Sequence, residues 1–496
     1  MSKKTEAFYI TTTLPYVNAD PHIGHAMEFI RADIIARYKK LMGFEVFFNT
    51  GTDEHGQKLL TAAIKEGRDP ANPADIKAYA DKYSVRFRDL LIALGVSSDV
   101  HFIRTTDAAH EHAAQAFWKL CFDRGFIYKK NYKVKYCVGC ELEKHDSDLV
   151  DGRCPVHPQL EVELIEEENY FFKFSAFQQP LLDFYAAHPD FVVPDFRFNE
   201  IKSFVSRGLE DFSISRLKTK MPWGVPVPND PEHVMYVWFD ALVSYISTLG
   251  WPDAADSSVS GSAVSPFEKF WKGGTPVQYC GKDNLRQQSA MWQAMLFAAG
   301  LPNSRRIVID GFITGEGGIK MSKSLGNTID PIAVVKEYGT DALRYYLVRE
   351  VSSFEDSPFT MEKFKDAYNA GLANGLGNLV SRVVKMAETN DVHFEVEINA
   401  RELVALYAEN YDGFELNKVC DAIWKKIQAA DKFIQENEPF KKVKVDAAAG
   451  KADILYLLGE VAAVGVALGP ILPETSAKIA QAIKENKILT PLFLRK

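Results

Sequence analysis

Two rhythms of apolar and polar residues divide the chain. Residues 7–13 are β-branched and aromatic, the composition of a buried strand, and Pro15, Asn18, Asp20 and Pro21 break the run. Beyond the break, Met27, Ile30, Ile34 and Tyr38 recur at helical spacing. A second short strand at 45–50 also ends in a polar cluster, Gly51-Thr-Asp-Glu-His-Gly56. Residues 73–121 read as helices, one of them closed by a turn at Gly95. After a stretch of different character, residues 122–223, the pattern returns to an α/β core at 234–245, a strand passing into a helix. Residues 277–281 and 306–311 read as further strands, separated by a helix over roughly 285–299. Past Asp330 the chain is helical, and Leu416, Val419, Cys420, Ile423, Trp424 and Ile427 trace one face of a long helix, the stripe of a bundle core.

The chain of 496 residues exceeds what one hydrophobic core serves, so two to four domains are expected. A net charge of −8 gives no global attraction to a polyanion, and any nucleic-acid contact must come from local basic patches. Candidates are Lys129, Lys130, Lys133 and Lys135, then Arg216, Lys218 and Lys220, then Lys441, Lys442 and Lys444, each of which is also the composition of an ordinary solvated face. The first residues run straight into the first strand without an apolar signal region. The longest apolar stretch, 454–468, contains Gly459, Glu460 and Gly465 and is too short to span a bilayer. Six cysteines without framework spacing fit a reducing compartment, so a cytoplasmic protein with no membrane partner is expected.

Candidate chemistry gathers where strands end. His22, Gly24 and His25 stand at a helix N-terminus beyond the carboxyl end of a strand, where open α/β sheets bind ligands and free N–H groups favour anions. Two imidazoles and a glycine there suit a polyphosphate, and two satisfied histidines near a loop are the plainer alternative. Asp53, Glu54 and His55 occupy the equivalent place after the second strand, and Asp283 stands where a carboxylate can bind a ribose diol. The loop at 315–327, rich in glycine and with Lys320, Ser322, Lys323 and Ser324, can close over a triphosphate. Cys137-Val-Gly-Cys140 and Cys154-Pro-Val-His157 supply three thiolates and one imidazole, a closed tetrahedral set for a structural zinc ion. Free buried cysteines are the alternative, and His145 competes with His157, which preserves the two-residue spacing.

His22-Ile-Gly-His25 together with Lys320-Met-Ser-Lys-Ser324 resembles the class I aminoacyl-tRNA synthetases. Within that class, Thr13-Leu-Pro-Tyr-Val-Asn18, Gly51-Thr-Asp-Glu-His-Gly56, the cysteine knuckles, Tyr236-Val-Trp-Phe-Asp-Ala241 and Gly281-Lys-Asp283 resemble the methionyl-tRNA synthetase family over nearly the whole chain. The resemblance implies an α/β fold: a Rossmann-type parallel-sheet catalytic domain split by a zinc-knuckle insertion, then an α-helical bundle that binds the anticodon. Its implied boundaries are 1–121 and 226–330 for the catalytic halves, 122–225 for the insertion, 331–366 for a stem-contact element and 367–496 for the bundle.

Carried onto this sequence, the resemblance implies that His22, Gly24, His25, Gly281, Asp283, Lys320 and Lys323 bind ATP with its Mg²⁺, the histidines and lysines serving catalysis. It places Leu14, Tyr16, Asp53, Trp238, Ala241, Tyr245, Gln288 and Trp292 around L-methionine, and Asn378, Arg382 and Phe440 on the anticodon of initiator and elongator methionine tRNAs. Gln287 and Gln288 depart from the family's common Phe and His, and Phe440 from its common Trp. The expected reaction activates methionine as the adenylate and transfers it to tRNA, releasing pyrophosphate and AMP. A monomer is expected, because the chain ends soon after the bundle, and DNA is not an expected partner. A different class I specificity, a small-molecule nucleotidylyltransferase and a noncatalytic tRNA-binding relative are the rival readings.

Overall fold

The structure is a computed structural model in which residues 6–144, 146–253, 264–319, 321, 328–487 and 490–496 are described. Its centre is a six-stranded parallel sheet in the order His101–Arg104, Glu45–Thr52, Ala7–Thr12, Thr275–Gly281, Arg306–Asp310, Val192–Val193. From Ala7–Thr12 the chain works outward on one side, and the other side is built by chain more than a hundred residues later. The order therefore switches between Ala7–Thr12 and Thr275–Gly281, which pair with Ile10 opposite Val277. A crevice opens beyond the carboxyl ends of two such strands, because their connections leave in opposite directions.

Both faces of the sheet are covered, as a parallel sheet requires. Successive side chains point to opposite faces, so Phe8 and Ile10 join the core that includes the helix Ile23–Leu41, whereas Tyr9 joins the core built with Trp271 and Trp292. The first core continues without interruption into the helices Asn378–Asn390, Leu416–Asn437, Ala447–Ala467 and Pro473–Glu485. The expected stripe of Leu416–Asn437 is buried as read and extends to Ala430 and Ile434. Two fully buried guanidiniums fasten these parts together. Arg31 reaches Asp310 at 2.9 Å and the carbonyls of Leu347, Val351, Ser352 and Ser353, and Arg344 reaches Asp33 at 2.8 Å and the carbonyls of Leu94 and Ile471. A buried arginine is tolerable when nearly all its donors are met in this way, Arg31 Nε alone of these two guanidiniums lacking a partner among the described residues.

In the stretch of changed character, Ile127–Cys137 and Glu163–Phe172 form a long antiparallel pair flanked by Leu142–Lys144 and Phe212–Ser213. Three elements differ from the sequence reading. Residues 73–121 are not all helical, since His101–Arg104 interrupts them as an edge strand of the central sheet. Asp230–Met235 does not belong to the α/β core; it pairs antiparallel with Pro226–Val227 and Ser215–Leu217 in a separate small sheet. The short strand Val192–Val193 adds to the central sheet from within residues 122–225. Among the described residues, no helix is long and apolar enough to cross a membrane.

Candidate active site

The helix Ile23–Leu41 begins in the crevice, and its first N–H groups are capped by imidazoles instead of the usual short polar side chains. His22 Nδ1 accepts from the Gly24 N–H at 3.1 Å, and His25 Nδ1 accepts from the His22 N–H at 3.2 Å. A ring nitrogen that accepts from a backbone N–H carries no proton, so in both neutral rings the proton sits on Nε2. The rings stack at 3.8 Å with planes 21° apart, presenting those donors as a pair. Burial first, and then the neighbouring His22, push the His25 pKa well below its ordinary value, which keeps that ring neutral. Gly24 leaves no room for a larger residue without a shift of the cap, since a Cβ would stand 3.0 Å from His22 Cε1. Gly281 ends the strand on the opposite lip, and the exposed Asp283 follows it. Glu28, which sequence reasoning missed, holds the junction by accepting from the Thr13 N–H at 2.7 Å.

The other end of the crevice is closed and buried. Asp53 follows the strand Glu45–Thr52 and is zipped to the loop after the first strand, its N–H donating to Pro15 O at 2.9 Å and its carbonyl accepting from the Val17 N–H at 3.2 Å. Its carboxyl is 2% exposed and has no cationic partner among the described residues. Burial first, then the charges of Asp240 and Glu141, raise its pKa well above the usual carboxylate range. The two following residues are tied into the frame. Arg104 grips Glu54 through Nε at 2.6 Å and Nη2 at 2.7 Å. Asp240 accepts from His55 Nδ1 at 2.6 Å and His110 Nε2 at 2.8 Å. Burial, the largest single influence, would raise the Asp240 carboxyl, but His55 and His110 together outweigh it and leave the pKa at about 2, while that of His55 rises.

Aromatic rings line the same end. Tyr16 meets Trp238 edge-on at 6.1 Å, and Tyr245 meets Trp292 edge-on at 6.0 Å. Leu14 and Ala241 are buried beside them in sequence. Gln288, fully buried, donates through Nε2 to the Tyr245 hydroxyl at 2.6 Å and accepts at Oε1 from Gln278 Nε2 at 2.7 Å. Gln278 in turn accepts from Ser304, so both ends of the Gln288 amide are fixed by a continuous chain of neutral groups. Among the described residues, the buried Trp238 indole N–H meets no partner, and neither does Gln287 Oε1. Arg104, His110 and Gln278 escaped sequence reading. His110 carried a signal, since it shares the buried stripe of Ala108–Asp123 with Ala113, Ala114, Phe117, Trp118 and Cys121, where an imidazole needs a partner.

At the far end of the long antiparallel pair, Cys137, Cys140, Cys154 and His157 bring their ligand atoms within 4.8 Å of one another, a cluster that can hold a metal ion. Cys140 Sγ stands 3.5 Å from Cys154 Sγ and 3.3 Å from His157 Nδ1. Gly139 in the first knuckle is required by this approach, because a Cβ there would lie 2.5 Å from His157 Cγ. His145 lies outside the described residues, as do Lys320 and Lys323. In the bundle, Asn378 and Arg382 are one turn apart on Asn378–Asn390, Arg382 reaches Asp431 at 3.1 Å, and Phe440 is exposed just past the left-handed turn at Glu438.

A parallel sheet that switches order at a crevice, with an imidazole-capped helix at one end and a buried carboxylate at the other, is the architecture of a nucleotide-binding α/β enzyme. The family "tRNA synthetases class I (M)" matches residues 8–163 and 148–384. The methionine–tRNA ligase of Thermosynechococcus vestitus is 41% identical over 98% of this chain and 92% of its own length. That of Caldanaerobacter subterraneus is 39% identical over 98% of this chain and 75% of its own length. The Mycobacterium tuberculosis methionyl-tRNA synthetase in complex with methionyl-adenylate superposes with a TM-score of 0.86 at 36% identity, covering 98% of this chain and 97% of that one. The chain belongs to the methionine–tRNA ligase family of class I aminoacyl-tRNA synthetases.

Proposed function

We propose that this chain ligates L-methionine to methionine tRNA through a methionyl-adenylate. A methionine carboxylate oxygen attacks the α-phosphorus of ATP, the bond from that phosphorus to the β-phosphate bridge breaks, and pyrophosphate leaves. A hydroxyl of the terminal adenosine of tRNA then attacks the activated carbonyl and AMP leaves. The observation that carries this reading is the pairing of opposite chemistries in one crevice: two Nε2–H donors at a helix N-terminus, and a buried Asp53 without a cation. An α-ammonium supplies that cation, and the unpartnered Trp238 N–H and the surrounding rings suit a flexible thioether.

In this reading His22 and His25 donate to phosphate oxygens as charge builds, Gly24 and Gly281 let the nucleotide approach the backbone, and Asp283 takes the ribose. Lys320 and Lys323 complete the cradle on the family resemblance. Mg²⁺ carried by ATP neutralises part of the phosphate charge when bound. Leu14, Tyr16, Trp238, Ala241, Tyr245, Gln288 and Trp292 enclose the methionine side chain. The knuckle holds one structural Zn²⁺, since three thiolates and an imidazole complete its preferred coordination. Asn378, Arg382 and Phe440 read the anticodon, the Phe440 ring giving an unpaired base a stacking face. None of the six cysteines is in a disulfide, which suits the cytoplasm. ATP–pyrophosphate exchange with each of the twenty amino acids tests the reading. Methionine is expected to support exchange far above the others, and stronger exchange with leucine, valine or cysteine would overturn the substrate while leaving the chemistry standing.

A further inference from the structure

Glu141 follows Cys140 directly, and nothing in the reaction above uses it. Its φ of 51° is an uncommon conformation for a residue with a side chain, and its carboxylate is only 1% exposed although it belongs to the metal knuckle. The left-handed turn carries it off the knuckle and into the catalytic domain. There Oε1 accepts from the Lys58 N–H at 2.9 Å, in the first turn of the helix Gln57–Lys65, and its carbonyl accepts from the Tyr236 hydroxyl. Both partners border the amino-acid end of the crevice. Lys58 lies five residues after Asp53 and stands 4.6 Å over the Tyr16 ring, and Tyr236 lies two residues before Trp238. The carboxylate is close enough to raise the proton affinity of both Tyr16 and Asp53, behind the larger effect of burial.

We propose that Glu141 is a positioning residue through which an ion bound at Cys137, Cys140, Cys154 and His157 fixes Tyr16, Asp53 and Trp238. The inference rests on the reading that those three side chains receive the amino acid. An ion that holds Cys140 leaves the next residue one orientation, and the strained turn then delivers a charged acceptor to a helix N-terminus, where such bonds are strong. Without the ion the turn relaxes and the loop at 53–58 loses its outer support.

Calorimetric titration of methionine onto the metal-loaded full chain tests this in wild type, Glu141→Ala, Glu141→Gln and Tyr236→Phe. A charge-assisted hydrogen bond lost by Glu141→Ala is expected to weaken methionine about tenfold, with ATP affinity and metal content unchanged. Glu141→Gln keeps an acceptor for the Lys58 N–H and should stay within about threefold of wild type, with Tyr236→Phe, which cuts only the second bond, between the two. Chelating the metal should weaken methionine about tenfold in wild type but by less than about twofold in Glu141→Ala, where the connection is already cut. If Glu141→Ala does not fold, the same comparison is made with Tyr236→Phe. Hydrogen exchange of residues 14–17 and 53–58 reads the coupling without any substrate: chelation should speed it in wild type, and Glu141→Ala should be fast throughout. Exchange that responds in a protein that binds no methionine would sustain the coupling and sink the substrate reading. Exchange indifferent to chelation, or chelation weakening methionine equally in wild type and Glu141→Ala, would overturn the proposal.

Discussion

At the end of the crevice proposed for the nucleotide, His22 caps the Gly24 N–H and His25 caps the His22 N–H, all within one turn of chain. At the end proposed for the amino acid, Tyr245 is held by Gln288 from 43 residues away, Lys58 by Glu141 from 83 and Asp240 by His55 from 185. The local arrangement forms as soon as its helix does and stands near solvent. The long-range one exists only when the sheet, the insertion and the small antiparallel sheet have all assembled, and it is buried. Damage to the first should therefore remain chemical, whereas damage to the second should spread into stability.

The largest expected effect follows from breaking the buried centre of the amino-acid end. Asp240→Asn removes the charge facing His55 and His110, and should cost about 3–5 kcal/mol in a urea-unfolding measurement. The sign with pH follows from the two shifts. The lowered Asp240 carboxyl contributes stability above its unfolded value of 3.8, lost as pH falls toward about 2. The raised His55 contributes fully below its unfolded value of 6.5, lost as pH rises through its folded value. The gap between wild type and Asp240→Asn should thus be widest between those two unfolded values and narrow on either side, and a pH-independent gap would show that the pair carries no net charge interaction.

Asp53→Asn sharpens the contrast because it should move binding and stability in opposite directions. The substrate ammonium loses a buried partner, worth about 2–5 kcal/mol in methionine affinity by calorimetry. The free protein, relieved of a carboxylate whose raised pKa marks it as unfavourably buried, should melt at a higher temperature. A variant that loses both binding and stability would mean that Asp53 is a frame residue like Glu54. The smallest effect is expected away from both ends: Phe440→Ala should cost about 1–3 kcal/mol in aminoacylation of tRNA and leave pyrophosphate exchange untouched. Unaltered aminoacylation would overturn the anticodon role proposed for Phe440.

The same contrast explains how much could be read from the sequence. The strand and helix around His22, the loop at Asp53 and the metal cluster are each defined by neighbours in the chain, and each was legible from spacing. His101–Arg104 was not, since four residues with a polar one at each end carry too little pattern to stand out between two helices. Of Asp230–Met235 only Val234 and Met235 fall in the run read as a strand, the polar Asp-Pro-Glu-His before them carries no strand signal, and the partners are antiparallel. The departure at Gln288 was visible as a residue. Its consequence was not, because Gln278 and Ser304 come from separate elements and only the fold brings them to the same amide. Arg104, His110 and Glu141 are of the same kind: each is unremarkable in its own segment, and each acts on a partner at least 50 residues distant.

That the two ends of the crevice are separately built is tested most directly by steady-state ATP–pyrophosphate exchange on His22→Ala and Gln288→Ala side by side. His22→Ala is expected to raise the KM for ATP and lower kcat while the KM for methionine stays within about twofold, and Gln288→Ala to raise the KM for methionine while that for ATP stays within about twofold. Equal increases in both constants for either variant would contradict the account, because the crevice would then be one coupled site and not two.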